Sequence, residues 1–420
     1  MQKSDWKKCK LGDVCYPVSE TYDFSNREKV VFINTGDISF GKFLKKEYEP
    51  VVSLPGQAKK SIQKNDILFS EIRPANGRFA LVDFDAHDFV VSTKLMVLRA
   101  HPIIDLKFLY LLLTNKYTLA EFQHIAESRS GTFPQITFDA ISYFPIDLPP
   151  LDEQKRIAQI LGSLDDKIEL LQKQNKTLED MAKAIFKSWF VDFDVVHAKQ
   201  KGLPKADIMR EYHLTDELYD LFPSDFENSS LGPIPSGWHV KTLSNIATLT
   251  MGQSPAGTTY NDSGEGLPFY QGRTDFEFRF PKKRVYCSAP TRIAEKGDVL
   301  ISVRAPVGDL NMANERCCIG RGVASIRPNT PNNSFLYYAM LNIQKKFDVF
   351  NTEGTVFGSI NRKDLSSLAI LTPSEDVLRE FNAIVTSFDL KIEENLKQIQ
   401  TLTELRDTLL PPLISGKIRV

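Results

Sequence analysis

The stretches "DDKIELLQKQNK" (Asp165–Lys176) and "DLKIEENLKQIQ" (Asp389–Gln400) share a D-x-K-I-E opening and a dense Lys, Glu, Gln and Asn content. Apolar residues around both recur at alternating steps of four and three. In the first region they are Ile157, Leu161, Leu164, Ile168, Leu171, Leu178, Ala182 and Ile185, and in the second they are Phe381, Val385, Phe388, Ile392, Ile399, Leu402 and Leu409. Such spacing over four heptads predicts two long helices that form a coiled coil, although a bundle helix inside one domain is the alternative.

The polar residues in the two heptad series predict how the helices align. In an antiparallel pair, one register places Asn175 opposite Asn395, and the same layers pair Ile168 with Leu402, Leu171 with Ile399, Leu178 with Ile392, and Ile185 with Val385. A buried Asn pair costs stability unless the two side chains satisfy each other, and it penalises slipped registers. About 37 residues per helix would make a rod of roughly 55 Å, which predicts a spacer between two domains.

The similarity extends well beyond these helices, so the chain is a tandem repeat of one unit of roughly 200 residues. The two copies are offset by 223 to 232 residues. The matched stretches are "SDWKKCKLGDVC" (Ser4–Cys15) with "SGWHVKTLSNIA" (Ser236–Ala247), "KNDILFSEIRP" (Lys64–Pro74) with "KGDVLISVRAP" (Lys296–Pro306), and "GTFPQITFDAISYFPIDLPP" (Gly131–Pro150) with "GTVFGSINRKDLSSLAILTP" (Gly354–Pro373).

Mixed strand and helix patterns predict an α+β fold for each copy. "DILFSEIR", "DVLISVR", "FVVSTKLMVLRA" and "CCIGRGVASIRP" alternate like half-buried strands, whereas "DLKFLYLLLTNKYTLAEF" and "NSFLYYAMLNIQKKF" have helical spacing. We therefore expect two globular domains in tandem, each followed by a long helix. The predicted boundaries are 1–150 and 236–373 for the domains, 151–191 and 374–420 for the helices with the C-terminal tail, and 192–235 for an acidic linker.

Composition is that of a globular protein without a membrane span. Of the 420 residues, 42% are hydrophobic and 25% are charged, and no apolar run approaches membrane-spanning length. The cysteines form no C-x-x-C pair, and the six histidines are scattered, so a reduced cytoplasmic setting without a metal site is expected. The formal net charge of −1 hides an asymmetry, because Pro268–Arg327 has 11 basic and 6 acidic residues whereas Asp192–Ser230 has 4 basic and 9 acidic residues.

The sequence lacks the motifs of common catalytic sites. "GQSPAG" (Gly252–Gly257) has Thr258 where a phosphate-binding loop needs lysine, so it is interpreted as a glycine-rich loop. The chain has no G-x-S-x-G motif and no Asn/Asp-Pro-Pro-Tyr/Phe segment of an amino-methyltransferase, since "LPPL" at Leu148–Leu151 lacks the required acidic or amide residue. We expect a non-catalytic pair of recognition domains.

The candidate DNA-contacting residues are polar and basic side chains predicted to lie at strand ends and turns. Arg and Lys suit guanine edges and phosphates, Asn and Gln suit adenine, and Ser and Thr suit phosphates. For each of them, a solvent-exposed side chain without a role in DNA binding is the alternative. The candidates are Arg73, Asn76, Arg78, Ser92, Lys94, Ser128, Ser130, Thr132 and Gln135 in the first copy, and Gln271, Arg273, Lys282, Lys283, Arg284, Arg304, Arg321, Thr355 and Ser359 in the second.

Four stretches resemble the specificity (S) subunit of Type I restriction–modification enzymes. They are "LPPLDEQKRIAQILGSLDDKIELLQKQNKTLEDMAKAIFKSWFVDFD", "LGPIPSGW", "GQSPAGTTY…GLPFYQG" and "LRDTLLPPLISGKIRV". The resemblance implies two target recognition domains, each reading half of a split site in double-stranded DNA, and an antiparallel coiled coil that sets the gap. It also implies docking of two methyltransferase subunits and association with ATP-dependent restriction (translocase) subunits.

The resemblance implies that the methyltransferase and restriction subunits carry out the catalysis. S-adenosylmethionine, ATP and Mg are therefore expected in those partners, and no cofactor is expected in this chain. Two alternatives remain open at this point. One is the S subunit of a related combined restriction–modification system, and the other is a scaffold whose paired domains bind protein or carbohydrate.

Overall fold

The computed structural model describes residues 6–129, 132–352 and 358–420. The chain forms two compact units, of which unit 1 comprises Met1–Leu171 with Lys397–Val420 and unit 2 comprises Gln172–Leu396. The first long helix is Leu151–Phe190 and the second long helix is Glu375–Ile414, so each contributes to both units. The α+β prediction, with each globular domain followed by a long helix, is confirmed. No helix in the described part of the chain is both long and apolar enough to cross a membrane.

Two four-stranded sheets form the globular part of unit 1. In spatial order they are Cys15–Val18, Leu95–Ala100, Ile67–Ser70 and Phe79–Leu81, and Glu49–Pro50, Lys29–Ile33, Phe89–Ser92 and Ala58–Ser61. A two-stranded sheet pairs Lys7–Lys10 with Pro145–Leu148, and a short hairpin pairs Ile38–Ser39 with Lys42–Phe43. The helices of this part are Leu11–Val14, Leu106–Thr114, Lys116–Arg129 and Phe138–Ile141, with 3-10 turns at Thr35–Asp37, Val51–Ser53 and Pro74–Asn76.

Unit 2 repeats this plan, but its second sheet has five strands. Its sheets are Ala247–Met251, Val323–Pro328, Val299–Ser302 and Leu310–Met312, and Tyr260–Asn261, Tyr286–Cys287, Leu267–Tyr270, Cys317–Ile319 and Ile293–Ala294. Two-stranded sheets pair His239–Thr242 with Ala369–Thr372, and Phe226–Ser229 with Gly232–Pro235. The helices are Asp194–Gln200, Lys205–Glu211, Asp216–Leu221, Leu243–Ile246, Asn333–Asn342, Val349–Thr352 and Arg362–Ser366, with 3-10 turns at Gly257–Thr259, Arg273–Asp275 and Gln344–Phe347.

A buried aspartate–arginine pair recurs at the same place in both units. Arg99 Nε lies 2.7 Å from Asp66 Oδ1 in unit 1, and Arg327 Nε lies 2.8 Å from Asp298 Oδ1 in unit 2. Both carboxylates are almost completely buried, and hydrogen bonding to Asp66 raises the pKa of Arg99. A buried carboxylate needs such a partner, because an isolated charge in the core is costly. The repeat therefore includes a buried ion pair at the same position in both domains.

The predicted strand Phe89–Ala100 is in fact two strands. Phe89–Ser92 belongs to one sheet and Leu95–Ala100 to the other, and the chain turns between them at Thr93–Lys94. In unit 2 the same crossing separates Cys317–Ile319 from Val323–Pro328. Alternation of apolar residues continues through the turn, so the pattern could not reveal that the strand changes sheet.

Two other details differ from the predictions. The strand Ile67–Ser70 is fully buried instead of half-buried, because both of its faces are covered. The predicted helix 105–122 is two helices that meet at Asn115, whose side-chain Oδ1 accepts from the backbone N–H groups of Tyr117 and Thr118 at 3.0 Å. Asparagine is a strong N-cap residue, and it starts a new helix here.

The linker between the two repeats is a structured part of unit 2. Its three short helices place Val196, Ile208 and Leu218 in the hydrophobic core of that unit, together with Phe222 and Trp238. The aromatic end of the first long helix packs into the same core. The linker therefore packs its apolar side chains into the core of unit 2, whereas its acidic residues lie on the outer side. It is a folded segment of that unit.

Candidate nucleic-acid interface

The crossing between sheets forms one edge of the globular part of unit 2, where three loops meet through backbone hydrogen bonds. Val303 N donates to Gly322 O at 2.9 Å, Ile360 N donates to Val303 O at 3.1 Å, and Ala305 N donates to Gly358 O at 2.9 Å. This edge carries Arg304, which follows the central strand. A rigid backbone frame of this kind holds exposed side chains in defined positions.

The same hydrogen-bond pattern forms the equivalent edge of unit 1. Glu71 N donates to Lys94 O at 3.0 Å, Ile136 N donates to Glu71 O at 2.8 Å, and Arg73 N donates to Pro134 O at 3.1 Å. Neither edge was visible as such in the sequence, because each combines loops that are far apart in the chain. The two edges are equivalent in backbone geometry and differ in their side chains.

Exposed candidates cluster at the edge of unit 1. The helix Lys116–Arg129 packs against the turn Pro74–Asn76, where Ala75 N donates to Gln123 Oε1 at 3.2 Å. Arg73 begins this turn with a left-handed backbone, at φ of 45°, and its side chain is exposed. Arg73, Asn76, Ser128 and Thr132 are exposed, and Lys94 and Gln135 are half-buried.

The structure changes the roles of two candidates in unit 1. Ser92 is completely buried, and its Oγ accepts from Lys94 N at 3.2 Å, so this hydroxyl is not available to DNA. Arg78 Nη1 donates to the carbonyl oxygens of Ile38 at 2.9 Å and Gly36 at 3.3 Å, so its guanidinium holds a neighbouring loop. The prediction for Ser92 is therefore wrong, and the Arg78 guanidinium binds the loop that contains Gly36 and Ile38. Ser130 lies outside the described residues.

The glycine-rich loop completes the edge of unit 2. Gly252 N donates to Val323 O at 2.9 Å, and a Cβ at Gly252 would lie 2.1 Å from Gly320 O, so only glycine allows this approach. The loop also brings the hydroxyl of Ser254 to 3.4 Å from Arg321 Nε and places the exposed amide of Gln253 at the edge. Sequence reasoning missed Gln253 and Ser254; the close glycine spacing was the available signal.

The basic run of unit 2 is largely compensated by acidic neighbours. Lys282 Nζ lies 3.7 Å from Glu277, Lys283 Nζ lies 2.5 Å from Glu315, and Arg284 Nε donates to Asp275 Oδ1 at 3.1 Å. The local excess of positive charge predicted from composition is therefore reduced. These side chains are exposed, so a DNA phosphate can replace the acidic partner of each.

Two arginines of unit 2 have free charge at the edge. Arg304 and Arg321 are exposed and make no ion pair within the part of the chain that the structure describes, whereas Arg273 Nε lies 2.7 Å from Asp309. Gln271 and Ser359 are exposed beside them. Thr355 lies outside the described residues, so its position is not part of this geometry.

The two asparagines of the heptad series lie in one layer of unit 2. Asn395 Nδ2 donates to Asn175 Oδ1 at 2.9 Å, and both side chains are buried. Asn175 Nδ2 and Asn395 Oδ1 make no hydrogen bond to any described residue. The helices are therefore antiparallel here, in the register that pairs these residues, and one amide hydrogen bond offsets part of the cost of burying two polar groups.

The antiparallel pairing also holds in unit 1. Arg406 Nη1 of the second long helix donates to Asp165 Oδ1 of the first at 2.8 Å, and the apolar residues Ile168 and Leu171 of this region are buried. Arg406 occupies a polar slot of the heptad series, and the ion pair explains how that slot is tolerated. The end of the second helix leads into a tail whose Arg419 forms a salt bridge to the buried Glu153.

Both copies of the repeat match the same known protein family. The family model of the Type I restriction modification DNA specificity domain matches residues 3–180 and again 235–404. The chain belongs to this family of specificity subunits. Specificity subunits recognise DNA through two recognition domains and are in general non-catalytic.

Individual specificity subunits from bacteria and archaea are similar over nearly their full length. The HindI specificity subunit of Haemophilus influenzae is 35% identical, covering 99% of this chain and 100% of that protein. The putative MjaX specificity subunit of Methanocaldococcus jannaschii is 30% identical, covering 99% and 94%. The crystal structure of an S subunit from M. genitalium shares the fold at a TM-score of 0.59 with 17% identity, covering 99% and 97% of the two chains.

Proposed function

We propose that this specificity subunit reads a two-part DNA sequence, with one half recognised by each of the two equivalent edges. The observation that carries the proposal is that the same backbone frame is built twice and presents different exposed side chains, Arg73 and Asn76 in unit 1 and Arg304 and Arg321 in unit 2. Arginine and asparagine are suited to base edges in the major groove. Different side chains on one frame would read different half-sites.

The paired helices would set the gap between the half-sites. Half-sites one turn apart on the same face of the duplex are separated by about 34 Å. Each long helix has 40 residues and is about 60 Å long, so the pair is long enough to act as a spacer. Buried Asn175 and Asn395 would fix the alignment of the two helices, because a slipped register separates them and leaves both amides without a partner.

Two methyltransferase subunits would dock on matching surfaces of the long helices. Met181 in unit 2 and Leu405 in unit 1 are 46% and 44% exposed, and they are separated by 224 residues, the same offset that relates Asp165 to Asp389. Exposed apolar side chains at equivalent positions fit two identical partners on a two-fold repeated subunit. S-adenosylmethionine, ATP and magnesium would be bound by the methyltransferase and restriction subunits, where the chemistry takes place.

Mapping of methylated adenines tests the proposed recognition. The chain is co-expressed with its methyltransferase in a host without other adenine methylation, and modified sites are mapped across the genome. We expect a motif of two parts with a fixed gap. Arg73→Ala should relax one part only and Arg304→Ala the other, while Lys201→Ala in the linker, a matched loss of an exposed positive charge, should leave both unchanged. A single unsplit motif, or loss of both parts from either variant, would contradict the proposal.

Two further measurements test the spacer and the partners. Deleting one heptad from each long helix should shorten the gap or prevent assembly. Native mass spectrometry of the complex with methyltransferase should show loss of one partner for Met181→Glu and of the other for Leu405→Glu, with Thr401→Glu as an exposed control on the same helix. DNA binding that is absent or insensitive to salt in the complete complex would favour a scaffold that binds another ligand, since phosphate contacts make binding strongly salt-dependent.

A further inference from the structure

One arginine in the recognition part of unit 2 is buried instead of exposed. Arg279 lies in the loop between Gln271 and Arg284, and only 2% of its surface is accessible. Its backbone is left-handed, at φ of 66°, a conformation that non-glycine residues rarely adopt. Such a backbone persists only where the surroundings hold it in place.

The guanidinium of Arg279 reaches both long helices. Its Nη2 donates to Tyr338 Oη at 2.6 Å and lies 3.3 Å from Asp389 Oδ1 of the second long helix and 3.6 Å from Glu179 Oε1 of the first. The plane of the group lies over the ring of Tyr337, with its central carbon 4.2 Å from the ring centroid. The side chain of Arg279 therefore joins the recognition domain to both long helices.

Burying the charged side chain of Arg279 costs desolvation free energy, which indicates that the contact has a specific role. Burial disfavours the charged form of Arg279, and only the nearby aromatic hydroxyls and carboxylates restore it. Arg279 Nε has no hydrogen-bond partner among the described residues. Replacing a buried ion pair by well-packed apolar residues is often neutral or stabilising, so a buried charge here is better explained by the need for one defined loop position than by stability.

A short chain of contacts connects Arg279 to the candidate DNA-reading residues. The turn that carries it is closed by a bridge between Phe276 and Pro281. Directly before that turn, the buried carboxylate of Asp275 accepts from Gln271 N at 2.7 Å and from Arg284 Nε at 3.1 Å. A shift of the turn would therefore move Gln271 and Arg284 along with it.

Unit 1 uses the equivalent aspartate differently. Asp165 is the sequence counterpart of Asp389, and its partner is Arg406 on the other long helix. In unit 1 the aspartate therefore stabilises the coiled coil internally, whereas in unit 2 it holds a loop of the recognition domain. The two copies of the D-x-K-I-E stretch have diverged in function.

We propose that Arg279 is a positioning residue for the half-site read by the second recognition domain. It anchors the loop 271–284 to both long helices and so places the side chains at the edge relative to the coiled coil. This inference rests on the proposed function, and it assigns a specificity role to a residue that does not itself contact DNA.

The experiment uses the full chain in complex with its methyltransferase. Methylation rates are measured on DNA duplexes that carry single base changes in either half-site, for the wild type, Arg279→Met, and the triple variant Arg279→Met with Glu179→Gln and Asp389→Asn. The triple variant removes the whole charged cluster, so no buried acid is left without a partner. Lys296→Met is the matched control, because Lys296 joins the same domain to the second helix through an exposed ion pair with Glu393 at 2.9 Å.

We expect discrimination in one half-site to fall about 10-fold or more in both Arg279 variants, the order of one lost base preference. The affected half-site should be the one that Arg304→Ala relaxes, while the other half-site and the Lys296→Met variant keep wild-type discrimination. Equal losses in both half-sites, or full discrimination in the triple variant, would overturn the proposal. A wild-type complex that methylates no two-part site would instead reject the proposed function.

Discussion

The buried asparagine pair allows a double-mutant cycle that tests the register of the coiled coil. The perturbations are Asn175→Leu, Asn395→Leu and the two together. Each single variant removes the 2.9 Å hydrogen bond and leaves the remaining amide buried without its partner. An unpaired buried amide costs about 1–3 kcal/mol, so each single change should destabilise unit 2 by that amount.

The double variant should be far less destabilised than the sum of the two single variants. It removes both amides, including the two polar atoms that make no hydrogen bond to a described residue, and replaces them with apolar side chains in a buried layer. We expect its stability to equal or exceed that of the wild type. The resulting coupling free energy should be about 2 kcal/mol or more.

Hydrogen–deuterium exchange of peptides from 172–190 and 375–396 measures the effect, because it reports the opening free energy of these helix segments without requiring the whole chain to unfold in one step. The control cycle combines Asn175→Leu with Ile185→Val, which lie ten residues and about 15 Å apart along one helix. These changes should add within about 0.5 kcal/mol. Additive effects of the two asparagine changes would refute the paired layer.

Three further predictions concern stability and reactivity. Arg99→Met leaves a buried carboxylate without its partner and should destabilise unit 1 by about 2–4 kcal/mol, measured by urea denaturation; a change below about 0.5 kcal/mol would contradict this. Burial opposes the ionisation of Glu153, but hydrogen bonds led by that from Arg419 hold the pKa of its carboxyl below 4.5, so its stabilising contribution is present above that pH and is lost as pH falls through the folded pKa. The protection factor of the tail 415–420 against hydrogen exchange, taken relative to the intrinsic exchange rate at each pH, should therefore fall on acidification, and Glu153→Gln should remove this response. Burial raises the pKa of the Cys15 thiol to about 12, so iodoacetamide at pH 8.5 should label the more accessible Cys9 about 10-fold faster or more, and equal labelling by mass spectrometry would refute this difference.

The sequence by itself determined the features that repeat along the chain. Heptad spacing predicts both long helices, and the position of one asparagine in each predicts the register that brings Asn175 to Asn395. The matched stretches predict the duplication, which continues into the buried pairs of Asp66 and Asp298 with their arginines. These predictions succeed because helix periodicity and repetition are local properties, and every turn of the helix supplies the same information again.

Only the tertiary structure decided which polar residues are available to a ligand. Ser92 is the last residue of one strand and Arg304 follows another, yet Ser92 is buried next to the sheet crossing and Arg304 is exposed at an edge. Arg279 stands in a basic segment that suggests DNA contact, but its side chain turns inward to acids on two helices, one 100 residues before it and the other 110 residues after it. Exposure and ion pairing depend on which distant loops pack together, and that information is not contained in the local pattern of residues.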